Sequence, residues 1–239
     1  MTRDTGDPRA QLSRDLELVA AHTELLLRTA RSMTDPGAAS LCEGWTRGHV
    51  ASHVARNAEA IGRLADWAVS GTPQEMYPGG PQARDRAIDE GAGRSVDELA
   101  ADVAATADDL EPRLRALGGP LAAERVEMRG GFAVSSLQLP FLRLRELVYH
   151  HVDLDAGFGF GDVDADLLRR FVDDAVSRLG LGHHPPDLRL TSDEGDTWTV
   201  GKGTTTVTGS RWGLLLWLAR RVPDGVRAPD GLPPLPRGA

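Results

Sequence analysis

Apolar residues recur at helical spacing in several stretches, each bounded by turn-forming residues. Leu12, Leu16, Val19, Leu26 and Ala30 follow Asp7-Pro8, an N-cap residue and a proline suited to the first helical position, and predict a long amphipathic helix. It stops before Asp35-Pro36-Gly37, a turn signal. After Thr46, an N-cap residue, Val50, Val54, Ile61, Leu64 and Ala68 mark the buried stripe of a second helix that ends at Gly71-Thr72-Pro73. Residues Gln74 to Arg94 are rich in Gly, Pro and Arg and read as a long connection, with one helical turn around Arg84 to Ile88; its length makes it a candidate lid. Ser95 and Glu98 form a capping-box pattern, and Leu99, Val103, Ala107, Leu110, Leu114 and Leu117 carry a third helix to Gly118-Gly119-Pro120. A fourth begins near Ser136 to Pro140, with Pro140 in its first turn or kinking it, and with Phe141, Leu144 and Val148 on an apolar face.

Four helices with three connections predict an antiparallel bundle over residues 1–156. Gly157 to Gly161 is a flexible break, after which Asp164 caps a fifth helix carrying Leu167, Leu168, Phe171, Ala175, Val176 and Leu179. The period then changes. Leu188 to Thr191, Thr197 to Val200 and Thr204 to Thr208 are short β-favouring segments separated by Gly and Asp, and Ser210 caps an apolar last helix from Arg211 to about Arg221. The segment from Pro223 on is expected to be extended and without a core of its own. The fold class is therefore α+β, a four-helix bundle followed by a small α/β domain over 157–239.

A net charge of −8 with no basic stripe gives no electrostatic footprint for nucleic acid or an anionic membrane, which leaves small molecules as the expected partners. No apolar run is long enough to span a bilayer, and the polar start MTRDTGDPRA lacks the apolar stretch of a secretory signal, so a cytoplasmic protein is expected, as a monomer or homodimer. Cys42 is the one cysteine. Neither a disulfide nor a cysteine-based zinc knuckle can be assembled within the chain, and any catalytic thiol has to come from outside. Next to Glu43, whose charge disfavours a thiolate, Cys42 reads as a small buried residue.

The chemistry concentrates in RLRELVYHHVDL, from Arg143 to Leu154. Glu146 and His150 stand four residues apart, hence on one helical face, and can each reach a divalent ion. A three-ligand set needs one more group from elsewhere, for which His53 is the candidate, 93 residues earlier; His49, His151, His183 and His184 compete. A carboxylate with two imidazoles suits zinc and leaves a position open for water or substrate. Asp153, three residues after His150, either supports a ligand by a hydrogen bond or faces solvent at the helix end. Trp45 reads as a hydrophobic anchor, and Arg143 and Arg145 are expected to point to other faces than Glu146.

LCEGWTRGHVASHVARNAEA (41–60), RLRELVYHHVDL (143–154) and TTTVTGSRWGLLLWLARR (204–221) together resemble the mycothiol-dependent maleylpyruvate isomerase family, part of the DinB-like metalloprotein group. The resemblance implies a DinB-like bundle with a sterol-carrier-like C-terminal domain, and a catalytic zinc on His53, Glu146 and His150. It also implies a functional arginine near the end of the last helix, where Arg220 and Arg221 stand. The implied cosubstrate is mycothiol and the implied reaction is cis-trans isomerisation: a zinc-activated thiolate adds to the cis double bond of maleylpyruvate, the resulting single bond rotates, and elimination gives the trans product. The same apparatus suits a mycothiol S-transferase acting on another electrophile, and a third reading is a metal- or ligand-binding protein without activity.

Overall fold

A computed structural model describes residues 7–236 of the 239-residue chain. Residues 1–6 of the expected bundle and residues 237–239 of the expected coreless tail lie outside the described residues. Contacts divide the chain into two units, Met1–Gly157 and Phe158–Ala239.

The first unit is built on four long helices. α1 (Pro8–Ser32) starts where the Asp7 side chain accepts from the Arg9 N–H, and α2 (Arg47–Ser70) starts at Thr46 and ends at Gly71 in the left-handed region. α3 spans Gly80–Ala92, α4 Val96–Ala116 and α5 Leu139–Asp153. The capping box of Ser95 and Glu98 forms at the start of α4, and Pro140 occupies the first turn of α5, where a missing N–H costs nothing. α1 and α2 each pack against both α4 and α5, which closes a four-helix ring. Its middle is filled by Leu26, Val54, Ala55, Leu99, Val103 and Leu147, all buried; each large aliphatic side chain so placed contributes roughly 1.5–3 kcal/mol.

Two elements depart from the expectation. The stretch predicted to be a long connection and lid holds α3, a helix of 13 residues docked on α2. Ile88 is its one large residue that is fully buried, and the rest of the contact is made by small residues. A Cβ on Gly48 would stand 2.2 Å from the Ala92 carbonyl oxygen, and one on Gly91 would stand 2.2 Å from the Ser52 hydroxyl. This backbone approach carries no hydrophobic period, which is why the helix escapes a pattern reading. The second departure is a hairpin of β1 (Arg125–Glu127) and β2 (Ala133–Ser135), with Val126 opposite Val134. Gly130-Gly131 at its tip, both at positive φ, is the turn signal that the sequence reading passed over.

The second unit holds α6 (Ala165–Gly180), capped by Asp164, and α7 (Arg211–Arg220), capped by Ser210. Its strands are β3 (Leu188–Ser192), β4 (Thr197–Val200), β5 (Thr205–Gly209) and β6 (Val226–Arg227), in the order β4-β3-β5-β6. β3 and β5 are parallel and the outer pairs antiparallel. Leu188 and Leu190 alternate with exposed Arg189, so one face of the sheet joins Phe171, Leu179, Leu214 and Leu215 among the buried residues. β6 lies in the segment expected to be coreless, and the break at 157–161 includes a buried Phe160 that opens a 3-10 turn.

Candidate metal centre

The C-terminal half of α5 meets the N-terminal turns of α2. Glu146, His150 and Asp153 are spaced i, i+4, i+7 and therefore share a face of α5. His53, in the second turn of α2, is 4% exposed and directs Nε2 to the Glu146 carboxylate, donating to Oε2 at 3.1 Å. His150 Nε2 lies 3.5 Å from the same oxygen. Ligand atoms of His53, Glu146 and His150 fall within 4.8 Å of one another.

Behind the group, His150 Nδ1 donates to Asp153 Oδ2 at 2.8 Å, and the Cys42 thiol donates to that same oxygen at 3.1 Å. Asp153 is fully buried, so of its two readings the structure takes the hydrogen-bonded one. Cys42 is half-buried and touches the site, which corrects its reading as an inert buried residue. Cys42, His150 and Asp153 form a second cluster close enough for an ion. The two clusters differ in access: Glu146 keeps 24% of its side chain exposed, whereas Asp153 has none. The first therefore retains the open side that an exchangeable ligand needs, and Asp153 serves as the support of His150.

Trp45 is carried by a tight loop in which Ser40 N–H bonds to the Trp45 carbonyl and Leu41 N–H to the Asp153 carbonyl. Its indole lies against three imidazoles, with centroids 5.3 Å from His53 and 6.4 Å from both His49 and His150. The anchor expected from sequence is thus an aromatic wall of the site. His49 is spent on capping: its Nδ1 accepts from the Thr46 N–H at 3.2 Å. His151 is buried on another face against the Thr29 hydroxyl at 2.7 Å, and His183 and His184 are exposed. Arg143 points into the core, donating to the Val54 carbonyl and the Asn57 side chain, both at 2.8 Å. Arg145 reaches within 3.9 Å of Glu146 Oε1, contrary to the expectation that it faces elsewhere. Arg84 of α3 was read from the sequence only as part of a helical turn and not as a site residue, yet its Nη2 donates to His53 Nδ1 at 3.2 Å.

Burial, assisted by the nearby charge of His150, lowers His53 to about 4, so its ring is neutral at pH 7. Burial pushes Glu146 up, but hydrogen bonds from His150 and His53 outweigh it and hold the carboxyl well below the usual range. Burial likewise opposes charge on His150, but Asp153, Cys42 and Glu146 raise it well above an ordinary histidine. A cationic imidazole thus bridges two carboxylates, an arrangement in which a divalent cation can take the proton's place.

The donor set fits such an ion. A tetrahedral zinc with bonds of about 2.1 Å has ligand-to-ligand edges of about 3.4 Å, and the two separations from Glu146 Oε2 are 3.1 and 3.5 Å. The backing of an imidazole by a buried carboxylate is the usual outer support of a zinc histidine.

Arg220 and Arg221 belong to the second unit. Arg221 ends α7 in the left-handed region and donates to the Leu218 carbonyl and, at 2.6 Å, to the Pro236 carbonyl, while Arg220 donates to the Ala219 carbonyl at 3.0 Å. These contacts are those of cations closing a helix C-terminus.

Compared with known proteins, residues 17–155 match the family model described as the mycothiol maleylpyruvate isomerase N-terminal domain, more than half of the chain. A crystal structure of a mycothiol-dependent maleylpyruvate isomerase is similar at 30% identity and a TM-score of 0.83, covering 94% of this chain and 95% of that one. A structure of a histidine-to-alanine mutant of a mycothiol-dependent maleylpyruvate isomerase is similar at 29% identity and a TM-score of 0.85, with the same coverage. No curated protein matches the chain.

Proposed function

Since the chain belongs to the mycothiol maleylpyruvate isomerase family, we propose that it is a mycothiol-dependent cis-trans isomerase of maleylpyruvate or a close relative of that compound. The observation that carries this reading is the convergence of His53, Glu146 and His150, with buried Asp153 behind them. In this reading those three residues hold a zinc ion, which supplies a cation that keeps an external thiol in its thiolate form at neutral pH.

The chain's own groups do the remaining work. Asp153 fixes the ring of His150 through Nδ1 and leaves Nε2 turned to the open side. Trp45 covers the imidazoles and limits water. Thiolate addition to the cis double bond makes it single; rotation and elimination then give the trans isomer and return the thiol, so no net reductant or oxidant is needed. Addition places charge on the substrate's oxygen, which calls for guanidinium donors. Within the second unit, Arg220 and Arg221 at the end of α7 are the arginines to which the family resemblance points. No helix among the described residues is long and apolar enough to cross a membrane, and the reading places the enzyme in the cytoplasm with small-molecule partners.

The test is turnover of maleylpyruvate by zinc-loaded protein with and without mycothiol. Conversion to the trans product only in the presence of the thiol is expected. Conjugation of a model electrophile without isomerisation would reassign the chain to mycothiol S-transfer, and neither activity, with metal retained, to a binding protein. A screen of electrophiles against the same preparation then finds the preferred substrate.

A further inference from the structure

Arg84 stands between two aromatic rings at the edge of the metal centre. Its guanidinium carbon is 5.5 Å from the centroid of Tyr77 and 5.9 Å from that of Trp45, and its side chain is 12% exposed. Contacts of this kind hold a cation without neutralising it. The guanidinium has two polar partners. Nη1 donates to Asp85 Oδ1 at 2.7 Å, but Asp85 is 61% exposed and a weak counter-ion in water. Nη2 donates to His53 Nδ1 at 3.2 Å.

Two of the five guanidinium N–H donors are engaged in this way, and the others are available to a further partner while Trp45 and Tyr77 keep the fork in place. A planar, largely enclosed fork of donors whose one carboxylate partner is exposed is matched best by a carboxylate.

We infer that Arg84 receives a carboxylate of the substrate beside the metal centre, an inference that rests on the isomerase reading above. It supplies a guanidinium donor to a carboxylate from the first unit, in the segment that the sequence reading took for a long connection and candidate lid. The acid recognised is an unsaturated carboxylate short enough to put its double bond next to the donor group of His53, Glu146 and His150.

The experiment is calorimetric titration of maleate, an unsaturated dicarboxylate probe, into zinc-loaded wild type, Arg84→Gln, Arg84→Lys and the exposed neighbour control Arg86→Gln, with zinc content measured on each sample. Loss of a charge-assisted contact is worth roughly 10- to 100-fold in affinity. Arg84→Gln is expected to weaken maleate binding by that factor with zinc retained, Arg84→Lys to recover part of it, and Arg86→Gln to match wild type. Equal maleate affinity in wild type and Arg84→Gln, or no binding by wild type, would overturn the inference. So would loss of zinc along with maleate binding in Arg84→Gln, which makes Arg84 a support for His53. Failure of wild type to isomerise maleylpyruvate, with maleate binding that depends on Arg84, would count against the isomerase reading alone.

Discussion

Asp153 accepts from a ring nitrogen of His150 and from the thiol of Cys42, and it has no exposure to water. Its charge and its acceptor geometry are both engaged, so Asp153→Asn, which keeps the volume, should weaken zinc binding about 10- to 100-fold by chelator competition. Cys42→Ala removes only a thiol donor from that carboxylate and should cost less in the same assay. His53→Ala removes one of three donors, and elemental analysis should find zinc well below one per chain. His22 is a separate matter: it is 7% exposed, and burial lowers its pKa. In the unfolded chain it gains a proton near pH 6.5, while in the native protein it stays neutral to lower pH. Its contribution to stability is thus intact above about pH 6.5 and lost as pH falls toward the native value. Metal-free His22→Gln should therefore lose less thermal stability than wild type between pH 7.5 and 5.5, measured by calorimetry. Glu146, His150 and Asp153 were legible in the sequence because they lie on one helical turn pattern. Arg84 and Cys42 were not, because their contacts with His53 and Asp153 cross between elements that no local spacing connects.

The elements carry the most visible difference between pattern and structure. α1, α2, α4 and α5 have stripes of Leu, Val and Ile at helical period, and their caps at Asp7, Thr46 and Ser95 are readable residue by residue. α3 instead docks through Gly48 and Gly91, a contact whose strength comes from the absence of side chains. The backbone of Ala92 cannot retreat from a methyl group on Gly48 without moving the helix. Gly48→Ala should accordingly destabilise the protein by about 1–3 kcal/mol in denaturant unfolding. The same change should also shift Arg84 relative to His53, so the two effects should appear together. The small hairpin β1-β2 shows the opposite case. Its glycine pair was in plain view, but its strands have three residues each, too few for an alternation to register.

At the level of the whole molecule, the candidate metal ligands among the described residues all lie in the first unit. Ligand binding stabilises only the structure that binds, by about 4 kcal/mol at a thousandfold excess over Kd. Calorimetry with and without a strong chelator should move the unfolding transition of the first unit by about 10 °C. His53 and Glu146 are 93 residues apart along the chain, yet they share one hydrogen bond. Closing a loop of that length has an entropic cost that no local turn repays, so α2 and α5 must already be docked before the three donors exist as a set. A metal ion taken up by this set would therefore arrive as an inspector of the finished bundle rather than as its nucleus, and a chain with formed but undocked helices has no claim on it.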